Sequence, residues 1–181
     1  MRFTFFLIFI ILISCNTDRQ IIETEEVNIP LSIANNFTMT YTDSSQVKSY
    51  VSGNKHFDYS NNILNYSEFF DDVELIIYDD NKTSTIKSDY AIVYNSFRFM
   101  EFKGNVEITT TNGELLITDQ LYYDTENEWL FTEDKFEYTD KSNKIIANRL
   151  DSNRNFTDLV TGNLTGSINI TEQWKTFLFL K

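Results

Sequence analysis

Residues 102–124 read FKGNVEITTTNGELLITDQLYYD and contain two runs in which apolar and polar residues alternate. Between the two runs lies the pair Asn112 and Gly113, which favours the tight turn of a β-hairpin. Alternation with a period of two places successive side chains on opposite faces of a sheet. The stretch therefore predicts two antiparallel strands joined by a short turn.

The same period continues on both sides of this hairpin. It is present in VELIIY (residues 73–78), FRFMEF (97–102) and KFEY (135–138), and clusters of Asn, Asp, Gly and Ser separate these runs. Such clusters are typical of turns. The chain has 16 Phe and 10 Tyr but only 5 Gly and 1 Pro among its 181 residues, and aromatic residues are enriched in strands. We predict an all-β protein without an amphipathic helix of ten residues or more in the folded part.

An internal repeat of about thirty residues extends this pattern. The pairs separated by thirty residues are Asp89 and Asp119, Phe99 and Trp129, Val106 and Phe136, and Ile108 and Tyr138. A looser copy follows at twenty-nine residues, from Asp119 to Asn148 and from Leu121 to Leu150. One such unit cannot bury its apolar face alone, so neighbouring copies must stack. The repeat predicts an elongated antiparallel β-structure that is rolled or folded on itself.

The first fifteen residues, MRFTFFLIFIILISC, combine Arg2 with an apolar run over residues 3–13 and a small residue, Ser14, before Cys15. The run is shorter than the ~20 residues that span a bilayer and fits the core of a signal peptide, here residues 1–14. Its ending resembles the signal of bacterial lipoproteins, and we predict lipidation at Cys15. A buried or catalytic cysteine is the alternative. Residues 15–35 are interpreted as the lipidated N-terminus and a tether, with an edge strand near residues 29–33 as the alternative.

Charge and cysteine content exclude several classes of protein. The chain has 27 Asp and Glu against 15 Lys and Arg, and this acidity argues against nucleic acid, whose binding depends on basic residues. Cleavage before Cys15 removes Arg2 and no acidic residue, which leaves 14 basic and 27 acidic residues and a net charge of −13. Because Cys15 is the only cysteine, no disulfide is expected within the domain.

Candidate catalytic and metal-binding residues are sparse. His56 is the only histidine and lies in a turn-rich stretch. Because there is no second histidine and Cys15 is the only cysteine, a Zn²⁺ site has no adequate set of ligands. The acidic pairs at residues 71–72 and 79–80 match no calcium-loop spacing. We therefore expect no enzyme, no metal site and no cofactor.

Several segments together resemble one known family. They are YTDSSQVKSYVSGNKHFDYSNN (residues 41–62), FFDDVELIIYDDNKTSTIKSDYAIVY (69–94), GNVEITTTNGELLITDQLYYD (104–124), FTEDKFEYT (131–139) and NLTGSI (163–168). In order and spacing they resemble the LptC family, the periplasmic C component of the lipopolysaccharide export machinery, over about residues 37–170. The resemblance implies an incomplete β-jellyroll over residues 36–170 whose hydrophobic interior holds lipid acyl chains.

Alternation and this resemblance together suggest an interior set of residues. The predicted lipid-binding residues are Phe97, Phe99, Val106, Ile108, Leu121, Tyr123, Trp129, Phe131, Phe136 and Tyr138. An ordinary dry core is the alternative for any one of them. The apolar tail, residues 171–181, contains Trp174, Phe177 and Phe179, which we interpret as an edge for a partner. Simple packing or disorder of the tail is the alternative.

The resulting hypothesis is a component of lipopolysaccharide export. It would accept lipopolysaccharide, through its lipid A acyl chains, from the permease subunits of an inner-membrane ABC transporter and pass it to a periplasmic bridge protein of the same β-jellyroll type. It would be lipid-anchored on the periplasmic face of the inner membrane, although sorting to the outer membrane stays open. The alternative is a periplasmic or surface lipoprotein that binds a glycan or a protein through a β-sandwich.

Overall fold

The chain folds into β-strands throughout the part that can be described. The computed structural model describes residues 28–79, 82–94, 97–162 and 164. Within these residues there is no helix, and so none that is long and apolar enough to cross a membrane. The strands are β1 (Ser32–Asp43), β2 (Gln46–Asp58), β3 (Tyr66–Asp79), β4 (Lys82–Tyr94), β5 (Phe99–Thr110), β6 (Leu115–Asp124), β7 (Trp129–Thr139), β8 (Lys144–Asn153) and β9 (Leu159–Thr161). The predicted all-β class is confirmed.

All these strands belong to one antiparallel sheet, in which each strand pairs with the next one along the chain. Turns between consecutive strands therefore alternate between the two ends of the sheet. We call the end with the β1/β2, β3/β4, β5/β6 and β7/β8 turns the upper end, and the opposite end the lower end. β1 begins at Ser32, so residues 32–35 of the predicted tether are part of the sheet.

The stretch from residue 102 to residue 124 forms β5, a turn and β6, as predicted. The turn is closed by hydrogen bonds from Thr110 N to Glu114 O (3.1 Å) and from Gly113 N to Thr110 O (2.9 Å). Gly113 has a φ of 88°, a left-handed conformation that glycine adopts at little cost. The glycine of the Asn-Gly pair is thus the residue that lets the chain reverse.

A row of register shifts crosses the sheet near the middle of its strands. Each pairing from β2/β3 to β7/β8 has one. Between β5 and β6 the shift lies between Lys103 and Val106 and takes in Gly104 and Asn105, which both have positive φ. A β-bulge bends its strand and increases the local twist. Bulges in successive pairings therefore bend the whole sheet along one line, which we call the crease.

The thirty-residue repeat marks this crease. Ser88 and Asp89 lie within the β4/β5 register shift, Asp119 lies within the β6/β7 shift, and Asn148 borders the β7/β8 shift. Two strands with their turns span about thirty residues, so the motif returns on every second strand. The repeat therefore encodes where the strands bend.

Buried hydroxyl groups satisfy carbonyl oxygens at the crease. Ser88 Oγ donates to Tyr90 O (2.9 Å), and Thr118 Oγ1 donates to Lys135 O (3.1 Å). Both hydroxyl residues are buried. Because a bulge interrupts the regular pairing of the strands, buried backbone groups there need other partners. This explains why Ser88 and Thr118, which are small and polar, occupy buried positions at the crease.

Gly104 is required at the crease for two reasons. Its φ is 75°, and a Cβ atom built on it would lie 2.6 Å from Asp89 Oδ2. The same carboxylate oxygen accepts a hydrogen bond from Asn105 Nδ2 (2.7 Å). Any side chain at residue 104 would thus be strained and would displace the Asp89 carboxylate.

The bent sheet forms two layers that face each other. Arg154 follows β8 at the lower end and Asp79 ends β3 at the upper end, yet Arg154 Nη2 lies 2.8 Å from Asp79 Oδ2. In a flat sheet these residues would be five strand spacings of about 4.8 Å apart sideways as well as a strand length apart. The rings of Tyr138, near the upper end, and Phe156, at the lower end, are also in contact, with centroids 5.2 Å apart. This two-layered, open sheet agrees with the jellyroll-like fold predicted for the chain.

The inner faces of the two layers form one hydrophobic core. Its buried residues come from every strand from β1 to β8. The largest fully buried side chains are Phe69, Phe102, Phe136, Leu75, Ile86, Ile108, Leu116, Leu121, Leu130, Leu150, Val73 and Val106.

Candidate functional site

A cleft of about 540 Å³ lies between the two layers. The layer that carries the end of β3 contributes Leu75 and Ile77 to its wall, and the facing layer contributes Phe97, Met100 and Tyr123. The volume is within the range of about 300–1,000 Å³ that is usual for small-molecule sites. Polar and charged side chains line the rest of the cleft, which is thus an entrance to the space between the layers with an apolar wall on its inner side.

Charged groups surround the mouth of this cleft. The Arg154 guanidinium contacts Asp79 Oδ2 at 2.8 Å and Glu128 Oε1 at 3.3 Å, and it lies beside the Tyr123 side chain. Only 11% of the Arg154 side chain is exposed. Burial by itself lowers the pKa of Arg154, but Tyr123, Glu128 and Asp79 together raise it above its usual value. Arg154 therefore stays charged and joins the two layers at the mouth.

The predicted interior residues divide between the two faces of the sheet. The buried core contains Val106, Ile108, Leu121, Tyr123, Phe136 and Tyr138, and Phe97 packs against it. The remaining three, Phe99, Trp129 and Phe131, lie on the opposite, outer face and are partly exposed. Their assignment to the interior was wrong.

The reason for this difference is the composition of β5. Its start, FRFMEF, is apolar at both parities, so alternation shows that Phe99 and Met100 face opposite ways but does not show which of them faces in. The structure buries Met100 and Phe102. Phe99 therefore lies on the outer face. Trp129 lies on the same face, because Phe99 and Trp129 both pair with Asp124.

The outer face carries a continuous aromatic surface that was not predicted from the sequence. Its rings form a contact chain through Phe57, Phe70, Tyr90, Tyr59, Tyr66, Tyr94, Phe99, Tyr122 and Phe131. Tyr122 and Phe131 stack with centroids 4.9 Å apart. The sequence signal for this surface was the presence of apolar or aromatic residues on both faces of one strand, as in YAIVY (residues 90–94) and FRFMEF (residues 97–102).

Polar groups are buried within this outer aromatic surface. Glu101, which is only 7% exposed, accepts hydrogen bonds from Gln120 Nε2 and from Lys103 Nζ (2.9 Å). Burial raises the pKa of Glu101, but hydrogen bonds from Lys103, Gln120 and Tyr122 outweigh it, and the pKa lies below its usual value. The carboxylate is therefore ionised and is held by hydrogen bonds from its neighbours.

His56 lies in strand β2, although its sequence neighbourhood is rich in turn-forming residues. Its ring stacks on Phe69 with centroids 4.8 Å apart and contacts Phe37 at 5.5 Å. Nε2 is buried and has no hydrogen-bond partner among the described residues. Burial lowers the pKa of His56 despite the opposing effect of Asp58. The side chain serves as part of the packed interior.

Two predicted features fall outside the described residues. One is the lipidation site, Cys15, with the signal peptide before it. The other is the tail, residues 171–181, with Trp174, Phe177 and Phe179.

The fold and its cleft define a class of protein: an open β-jellyroll whose two layers enclose an apolar interior. Over residues 3–160 the sequence matches the family described as lipopolysaccharide-assembly, LptC-related, and the chain belongs to this family. No curated protein matches the sequence. Membership gives the protein a general role in lipopolysaccharide transport and confirms the resemblance found in the sequence.

Proposed function

We propose that the protein accepts lipopolysaccharide from the permease subunits of an inner-membrane ABC transporter and passes it to a periplasmic bridge protein. The acyl chains of lipid A would travel between the two layers of the β-jellyroll. A lipid attached to Cys15 would hold the protein on the periplasmic face of the inner membrane. The observation that carries this proposal is the cleft with an apolar wall between the layers.

The energetics of lipid transfer favour such a path. Each CH₂ group kept from water is worth about 0.8 kcal/mol, so exposure of one twelve-carbon chain would cost about 10 kcal/mol. A carrier must therefore offer apolar contacts along its whole length. The core residues extend across the sheet from β1 to β8, and Leu75, Ile77 and Met100 connect this core to the cleft.

The proposal requires the layers to separate when lipid enters. The described interior is packed, with Phe102, Ile108 and Leu121 at most 1% exposed. Arg154 bridges the layers at the mouth, so its contacts with Asp79 and Glu128 would break or move as the cleft opens. The net charge of −13 after cleavage is poorly suited to a phosphorylated headgroup, which would stay outside the cleft.

Photo-crosslinking in cells tests the lipid path. A photoreactive amino acid at Met100 or Leu75 should give an adduct of lipopolysaccharide size, because both side chains line the cleft. Phe99 is the matched control, since it is the neighbour of Met100 and faces the opposite side of the sheet. Absence of an adduct from both interior positions, with the protein correctly located, would contradict the proposed path.

The outer aromatic surface favours a second candidate, the binding of a glycan or a protein partner. Partly exposed rings such as Phe99, Tyr122 and Phe131 offer faces for stacking, and Gln120 and Lys103 lie beside them. The same experiment separates the two candidates. Adducts from Phe99 without adducts from Met100 would support the second.

A further inference from the structure

An exposed apolar corner lies at the lower end of the sheet, at the β2/β3 loop. At the tip of this loop Ile63 is fully exposed and Leu64 is 55% exposed. Ile29 and Leu31, which precede β1, are 66% and 62% exposed. We call these four residues the apolar corner. Fully exposed neighbouring aliphatic side chains are costly in water, and clusters of them mark sites of contact with proteins or membranes.

Hydrogen bonds hold the loop in this exposed arrangement. Ser60 N donates to Asp58 Oδ1 (2.8 Å), and Asn62 N donates to Tyr59 O (3.1 Å). At the base of the loop Tyr59 N donates to Tyr66 O (2.9 Å), and the two tyrosine rings stack with centroids 4.7 Å apart. The loop therefore has a defined conformation, in which Ile63 and Leu64 point outward.

The two segments of the corner are connected. Asn28 accepts a hydrogen bond from Asn62 Nδ2 and donates one from its own Nδ2 to the Tyr66 hydroxyl. Leu31 N donates to Asp58 O (2.7 Å). The residues that lead into β1 thus lie directly against the loop, and Ile29 and Leu31 in this segment are exposed as well.

The corner has few charged side chains in a strongly acidic protein, the nearest being Asp58 at the base of the loop. Neither residues 28–42 nor residues 59–67 contain Asp, Glu, Lys or Arg, although the whole chain has 27 acidic residues. A bilayer with anionic lipids repels negative charge over a Debye length of about 8–10 Å. Among the described residues, this apolar corner can therefore approach such a surface with little repulsion.

The position of the corner along the chain also points to a membrane. Twelve residues, 16–27, separate Cys15 from Asn28. At about 3.5 Å per extended residue they reach at most ~45 Å. A membrane anchor at Cys15 would therefore keep Asn28, and the loop bound to it, within about 45 Å of the bilayer surface. Tyr66, which is partly exposed beside the loop, is of a residue type that is enriched at membrane interfaces.

We propose that Ile63 and Leu64, supported by Ile29 and Leu31, insert into the surface of the phospholipid bilayer to which the protein is anchored. The inference rests on the proposed lipid anchor at Cys15. A second contact makes the attachment firmer than the lipid alone and also orients the domain. The β4/β5 turn with Phe97 lies at the same end, two strand spacings or about 10 Å away sideways. Insertion would thus hold one wall of the cleft next to the membrane.

Spin labels on the full-length lipoprotein in vesicles of phosphatidylethanolamine and phosphatidylglycerol test this proposal. The label is attached at Ile63→Cys, and the control is Ser142→Cys in the β7/β8 turn, which lies five strand spacings away along the sheet. At residue 63 we expect the ratio of oxygen collisions to nickel-chelate collisions to be several-fold higher than at residue 142. Equal ratios at the two positions would overturn the proposal.

A second variant separates insertion from mere proximity to the membrane. With the label at Asn61→Cys, the double change Ile63→Asp and Leu64→Asp should lower the collision ratio to that of residue 142. Both side chains are exposed, so the fold should persist. A ratio that stays high would contradict insertion, as would shielding of residue 63 only when transporter subunits are added. The mass of the acylated N-terminus and the Met100 crosslink report separately on the anchor and on the proposed function.

Discussion

Arg154 and Asp79 come from opposite ends of the same sheet and meet at 2.8 Å. This contact exists because the strands bend at the crease and bring their two halves face to face. It also lies at the mouth of the cleft. The Arg154–Asp79 pair thus connects the bend of the sheet with access to its interior.

The change Arg154→Met should lower the free energy of unfolding by about 1.5–3 kcal/mol, the usual range for hydrogen bonds that involve a charged group. The guanidinium is largely buried and has partners in both layers. Urea denaturation measures the effect. The control is Lys144→Met, which breaks an exposed pair with Glu137 and should change stability by at most about 1 kcal/mol. Equal losses of unfolding free energy in the two variants would show that the bridge between the layers stabilises the protein no more than an exposed ion pair does.

Gly104→Ala should be more destabilising than Gly113→Ala. Both residues have positive φ, which costs a side chain about 1–2 kcal/mol. At residue 104 the new methyl group would in addition meet the Asp89 carboxylate, whereas at residue 113 it would meet nothing within 4 Å. Thermal unfolding of the two variants checks the order.

A further change tests the cause of that difference. Asp89→Ala in the Gly104→Ala background should recover part of the lost stability, because it removes the atom that the methyl group meets. Strictly additive effects would mean that the clash does not contribute.

Phe102→Ala and Phe99→Ala should differ clearly, although the two residues lie in the same strand. Phe102 is 1% exposed in the core, and its truncation should cost about 3–5 kcal/mol. Phe99 lies on the outer face, where its ring contacts Tyr122 and Phe131 but is partly exposed. Its truncation should cost less. Chemical denaturation decides, and the reverse order would contradict the assignment of the faces.

Stability should fall as the pH is lowered through the range in which histidine titrates. Burial puts the pKa of His56 below its ordinary 6.5, so the unfolded chain binds a proton more readily than the folded chain does. The stability is therefore complete above about pH 6.5 and declines as the pH falls toward the pKa of the folded state.

His56→Leu should flatten this dependence between about pH 5 and pH 7.5, a range in which carboxylates contribute little. Stability of both proteins across this range, by urea denaturation, gives the comparison. An unchanged slope in the variant would assign the pH dependence to other groups.

The strands, the turn at Gly113 and the thirty-residue repeat could all be predicted from the sequence, because they depend on local alternation and on residues that favour turns. The repeat also coincides with the positions of the bulges, but this relationship is visible only in the folded sheet. The family could be recognised for the same reason: its segments keep their order and spacing.

The sequence by itself determined the all-β class and which neighbouring side chains face opposite ways. Only the tertiary structure decided that Met100 faces the interior and Phe99 the solvent side, because a strand that is apolar on both faces can be buried on either one. The contact of Arg154 with Asp79, the cleft and the outer aromatic surface join residues far apart in the chain. Such contacts depend on how the sheet bends in space, and local periodicity contains no information about that.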